Sequence, residues 1–150
     1  MRKFQFRFET IERVRKTREN EALRVLGDAQ AAHRIAVAQK SQLQNDLAFS
    51  LERREKLGSE PITALPFQLE TEYIAGTKQR ILQADQGIFR AMKGVEKALR
   101  AYLYARKQTR MIEILREKDF VEFKKARIKY ENNALSDLYV MRARLAEALA

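Results

Sequence analysis

A chain of 150 residues has room for one domain and not comfortably for two. With 5 Gly and 2 Pro it lacks the turn residues of a sheet, barrel or sandwich, and helix formers dominate what remains. Lysine and arginine total 30 against 20 acidic residues, and the formal charge of +10 admits nucleic acid, an acidic protein or an anionic membrane surface as partner.

The opening Met1-Arg2-Lys3-Phe4-Gln5-Phe6-Arg7-Phe8 is interrupted by charge and holds no apolar signal core, so a cytoplasmic protein is expected. No run of apolar residues is long enough to span a bilayer. A first helix is predicted over about residues 5–57. Its sevenfold stripe is Phe8, Arg15, Ala22, Ala29, Ala36, Leu43, Ser50 and Leu57, with Ile11, Val25, Ala32 and Leu47 as companions. Arg15, Arg18 and Lys40 fall near the stripe and read as snorkelling along its edge. The single histidine, His33, stands in an alanine-rich stretch without a visible ligand cluster, so no metal role is expected of it.

Both prolines fall in Gly58-Ser59-Glu60-Pro61-Ile62-Thr63-Ala64-Leu65-Pro66, which predicts a loop over 58–65. Gly58 suits a helix C-terminus, and Pro66 the first turn of a second helix over about 66–148. That helix repeats Phe67, Ile74, Ile81, Ile88, Val95 and Tyr102 at strict sevens, with Ala84, Ala91, Ala98, Ala105 and Ile112 offset by three. A large residue set against a small one in every heptad is a coiled-coil seam, and strict sevens wind it left-handed. The short loop makes the pair antiparallel. If Leu57 faces Phe67, residues 1–57 meet roughly 67–123, and the second helix continues alone for about 40 Å. Beyond Ile112 the sevens change phase to Ile114, Val121, Ile128 and Leu135, followed by Leu138, Tyr139, Met141 and Leu145. A lone helix cannot bury such a stripe, so a partner is expected there. Met92, Met111 and Met141 read as packing residues, Tyr102 as part of the seam and Tyr104 as outside it. The fold class is therefore all-α: a long two-helix antiparallel coiled-coil hairpin with a C-terminal helical overhang, one coiled-coil domain over 1–150.

Little in the chain suggests chemistry. With zero Cys there are no thiolate sites. Gly76-Thr77-Lys78 lacks the upstream glycine and the strand of a phosphate loop. Carboxylates such as Glu70, Glu72, Glu117 and Asp119 have no pocket on a two-helix rod to shift their acidity. No enzyme, cofactor or metal is expected. Charge is distributed unevenly: residues 1–30 hold 8 basic and 5 acidic residues, 31–99 hold 10 and 8, and 100–150 hold 12 and 7.

Two segments carry a family resemblance. One is Phe4-Gln5-Phe6-Arg7-Phe8-Glu9-Thr10-Ile11 with Val14-Arg15 and Glu19-Asn20-Glu21-Ala22. The other is Arg110-Met111-Ile112-Glu113-Ile114-Leu115-Arg116-Glu117-Lys118, with Glu131 and Leu135-Ser136-Asp137-Leu138. In these the chain resembles the flagellar FliJ family and, more distantly, the stalk proteins of type III injectisomes. Many members carry an acidic pair where Ser136-Asp137 stands. The resemblance implies a non-enzymatic stalk of the flagellar type III export apparatus, serving flagellum biogenesis, motility and chemotaxis. It implies partners in a hexameric export ATPase, a membrane export gate protein and export chaperones, with the chain monomeric and peripheral to the cytoplasmic face of the inner membrane. Residue by residue, it points to Phe4, Phe8, Arg13, Arg116, Phe120 and Phe123 for ATPase docking. Gln42, Phe49 and Tyr73 are the corresponding gate contacts.

Two other readings stay open. A basic helical arm could bind nucleic acid through phosphate contacts, although acidic residues interrupt its charge and no recognition motif or stacking platform accompanies it. A plain structural coiled coil could dimerise through the overhang.

Overall fold

The structure is a computed structural model that describes residues 3–59, Pro61 and 64–150. Two helices hold nearly all of them, α1 (Glu9–Ser59) and α2 (Ala64–Leu149), and the described residues include no strand. The all-α two-helix hairpin is the observed fold.

The helix ends differ from expectation for local reasons. The first helix starts at Glu9 rather than near residue 5, with the Phe8 carbonyl accepting the first helical bond from the Glu12 amide at 2.9 Å. Glu9 and Glu12 in the first turn complement the helix dipole. Phe4, Phe6 and Phe8 recur at a period of two, the spacing of an extended segment. At the other end α1 runs on through Gly58, which is helical and has no positive φ, to Ser59. The second helix begins at Ala64, so Leu65 and Pro66 lie in its first turn, where proline's missing amide is harmless. Ile62, part of the expected loop, lies outside the described residues.

The chain divides into two compact units, Glu19–Tyr104 and the described part of Met1–Arg18 with Ala105–Ala150. In the first unit, Lys40 pairs with Asp85, and Arg53 Nη2 stands 3.3 Å from Glu70 Oε1. A forward step on α1 thus matches a backward step on α2. Along α2 the shielded positions run Ile74, Thr77, Ile81, Ala84, Ile88, Ala91, Val95, Ala98 and Tyr102, alternating by three and four. Thr77, from the discarded phosphate-loop match, is one of these and is fully buried. Phe67, the expected first rung, is exposed instead.

Along α1 the stripe from Ala22 to Leu57 faces inward as expected. Its companions do not follow: Ile11, Val25 and Ala32 are exposed, and only Leu47 is shielded. The inward companions stand four residues on, at Glu12, Glu19, Leu26, His33, Lys40, Leu47 and Arg54. Apolarity pointed to the wrong offset because polar residues hold most of this row. They are tolerated because the register sets Lys40 level with Ala84 and His33 with Ala91, where short side chains leave room for a longer one to leave the seam. The same register sets Ala29 against Val95 and Ala36 against Ile88.

The core is thin. Among the described residues of this unit the buried apolar ones are Leu26, Ile74 and Ala98, so cohesion comes from many partial layers, each worth a fraction of the ~1.5–3 kcal/mol of full burial. Polar members are satisfied locally. The Thr77 hydroxyl donates to the Tyr73 carbonyl at 2.8 Å, and Ser50 Oγ accepts from Arg53 at 3.3 Å. Glu70 Oε1 is buried and makes no directed hydrogen bond, so its contact with Arg53 is ionic.

In the second unit, Arg15 Nη1 donates to the Gln108 carbonyl at 3.0 Å. The Thr109 hydroxyl is shared between the carbonyls of Ala105, at 3.1 Å, and Arg15, at 3.3 Å. Ile112 is buried below them, and Leu115, Asp119 and Phe123 are half-buried. At the seam edge Arg15 and Lys40 reach across to polar atoms of α2, whereas Arg18 is exposed. Ile114, Val121, Ile128 and Leu135 are all exposed, and so is every residue from 124 to 150. Met92, Met111 and Met141 are exposed too, against their expected packing role, because none falls on an inward position. Tyr102 is half-buried and Tyr104 exposed.

Candidate functional site

Two surfaces collect the residues singled out in the sequence. The first, in the unit that contains the N-terminal segment, is built by residues 3–8. These residues precede the helix, so the aromatic rings can turn toward α2 rather than spiral around an axis. The Phe4 ring lies 5.2 Å from Phe120, edge-on at 68°, and 5.5 Å from Phe123. Phe6 is the buried member, its ring 6.0 Å from Phe8 in an edge-on contact. The Arg116 guanidinium stands 5.9 Å from the Phe6 ring centre and bonds Glu12 Oε2 at 2.8 Å. The Lys124 ammonium lies 4.7 Å from the Phe120 ring centre. Edge-on rings and cations over ring faces are attractive geometries for the aromatic quadrupole.

Of the expected docking residues, Phe4, Phe120, Phe123 and Arg116 meet in this cluster, and Phe8 joins through Phe6. Arg13 sits on an exposed stretch of α1, where its carbonyl accepts from Thr17. Phe6 was not among the expected residues although it is the most shielded ring; its place in the Phe4-Phe6-Phe8 alternation was the available signal. Because Phe4, Phe8 and Phe123 are half-buried against their own chain, the cluster works first as a clasp holding the N-terminal segment to α2. The outward-facing parts are Phe120, Lys124, Arg13 and the apolar stripe of the following α2 residues.

The second surface lies in the unit Glu19–Tyr104. A groove of about 690 Å³ runs along one flank of the helix pair, lined by Ile35, Gln39, Gln42, Arg80, Gln83 and Gly87 among others. Gln42 is thus on the groove wall. Phe49 stands one heptad beyond Gln42, and Tyr73 one heptad before Arg80. In an antiparallel pair those steps run the same way, so all three expected gate residues share one flank. Phe49 is exposed under the Arg53 guanidinium at 5.0 Å, and Tyr73 under that of Arg80 at 5.5 Å. Arg53, Arg80 and Gly87 were not foreseen; heptad spacing from Phe49 and Tyr73 would have reached the second and third. Gly87 leaves open space where a Cβ would project.

Among the described residues no helix is long and apolar enough to cross a membrane, and no group of three His, Cys, Asp or Glu side chains could hold a metal ion. A family model described as "Flagellar FliJ protein" matches residues 4–147 of the chain. No curated protein and no solved structure matches it.

Proposed function

Because the chain belongs to the flagellar FliJ family, a component of the flagellar type III export apparatus, we propose that it is the non-enzymatic stalk of that apparatus. One copy docks in the ring of the hexameric export ATPase through the end that carries both termini. The groove flank with Gln42, Phe49 and Tyr73 meets the membrane export gate, and export chaperones are escorted along the same rod. The protein then works at the cytoplasmic face of the inner membrane at the flagellar base, held there by protein contacts. The observation that carries this reading is the family match over residues 4–147. The exposed apolar stripe beyond Phe123 and the basic excess near both termini support the choice of docking end. Long-range charge would speed entry into a polar or acidic ring and weaken with salt, while the apolar stripe would supply desolvated contact.

The test compares three chains in ATPase binding and stimulation. Truncation after Lys124 removes the overhang and leaves Phe120 and Phe123 on Phe4. Truncation after Lys118 removes the clasp partners as well. The third carries Leu65→Ser and Leu69→Ser at the exposed start of α2. Loss of stimulation in both truncations, with the third chain active, is the expected result. Normal stimulation by the chain truncated after Lys118, if still helical, would overturn the orientation. Phe49→Ala with Tyr73→Ala should abolish gate binding and motility while sparing ATPase stimulation.

A further inference from the structure

The α2 residues beyond Phe123 form a surface that is complementary to itself. Every residue from 124 to 150 is exposed, and the stripe along this segment has two rows. One row is Ile128, Leu135, Arg142 and Leu149, and the other is Lys124, Glu131, Leu138 and Leu145. A row of sevens beside a second row three residues on, flanked by Tyr139 and Met141, is the seam pattern of a two-stranded coiled coil. The charges within the stripe select the partner.

We propose that this segment pairs with the same segment of a second copy, antiparallel and about a two-fold axis between Leu135 and Leu138. In that register Leu135 of one copy meets Leu138 of the other, and Ile128 meets Leu145. Glu131 meets Arg142, and Lys124 lies over the terminal Leu149. Each pairing occurs twice, as a two-fold axis requires. The central seam charges, Glu131 and Arg142, thus fall opposite each other. A parallel pair would set Glu131 on Glu131 and Arg142 on Arg142, with Lys124 on Lys124. The flanking positions agree: Ala134 would lie beside Met141, and Asn132 beside Tyr139, with no like charges opposed. Glu131 is held at 2.9 Å by Arg127 of its own helix, which pre-orients its carboxylate, and remains about half exposed toward a second cation. The paired segment is about 39 Å long at 1.5 Å per residue, enough for three to four heptads.

Pairing leaves the ring contacts of Phe4 with Phe120 and Phe123 in place, and of the cluster it recruits Lys124, which lies over the Phe120 ring. On the docking reading given above, the dimer and the ATPase ring would compete for one stripe, so the free chain would cover its own docking surface. The dimer itself does not depend on that reading.

The experiment is sedimentation of the full chain, alone, over a concentration series, with helix content checked by circular dichroism. Concentration-dependent dimerisation that is abolished by Leu135→Asp is expected. Glu131→Arg and Arg142→Glu should each weaken it at least tenfold, and the double variant should restore it, since exchanging the charges recreates the antiparallel pair. A chain that stays monomeric throughout, or a dimer indifferent to Leu135→Asp, would overturn the proposal. A double variant no better than either single one would overturn the antiparallel register.

Discussion

At the scale of single residues, the chain depends on a few well-shielded side chains in a mostly open structure. Phe6 is one: it is 6% exposed, next to Phe8 and under Arg116. Phe6→Ala should cost about 2–4 kcal/mol, near the low end for a buried aromatic, because the surrounding segment can relax. Phe89, at 61% exposure, gives the control: Phe89→Ala should stay within about 0.5 kcal/mol. Equal losses for the two in denaturant melts would refute the clasp. Gly87 presents the opposite case. It sits in the helix interior with open space where a methyl group would project, so Gly87→Ala should stabilise by about 0.5–1 kcal/mol. If the groove beside it receives a gate helix at close approach, the same change should weaken gate binding while the melting temperature rises.

At the scale of elements, α2 was legible and α1 only half so. Ile74, Ile81, Ile88, Val95 and Tyr102 stand out because large aliphatic and aromatic side chains at strict sevens have one physical use. The α1 stripe from Ala22 to Leu57 was legible from its sevenfold spacing alone, since small residues, Ala22, Ala29, Ala36 and Ser50, hold most of it. Its second row was not, since Glu12, Glu19, His33, Lys40 and Arg54 fill positions where apolar residues were sought. Cross-helix contacts, Lys40 to Asp85 and Glu12 to Arg116, show how two of them are accommodated. The period-two rings of the N-terminal segment were visible but read as helix, and the groove needed the register before its flank could be drawn. Register also decides a test. Ile81 is half-buried and level with Leu43, so Ile81→Asp forces a carboxylate between apolar layers. It should lower stability by about 2–3 kcal/mol, several times the effect of Lys78→Asp on the exposed side. Similar thermal shifts for the two would mean that the helices meet in another register.

At the scale of the whole molecule, a family match over residues 4–147 and a charge of +10 accompany a two-helix hairpin. The contacts themselves are distributed unequally along the chain. Partners near the loop, such as Arg53 and Glu70, are close in sequence, whereas Arg15 and Thr109 are 94 residues apart. Loop-closure entropy rises with the length enclosed, so the pairing is expected to start beside the loop and zip toward the termini. The Phe4–Phe120 clasp then closes last and opens first. Its opening frees the first turns of α1 while the layers near the loop stay paired, so amide hydrogens there should exchange through local fraying, well before global unfolding. A helix pair built this way has a graded compliance: soft where its contacts enclose the most chain, stiff where they enclose the least.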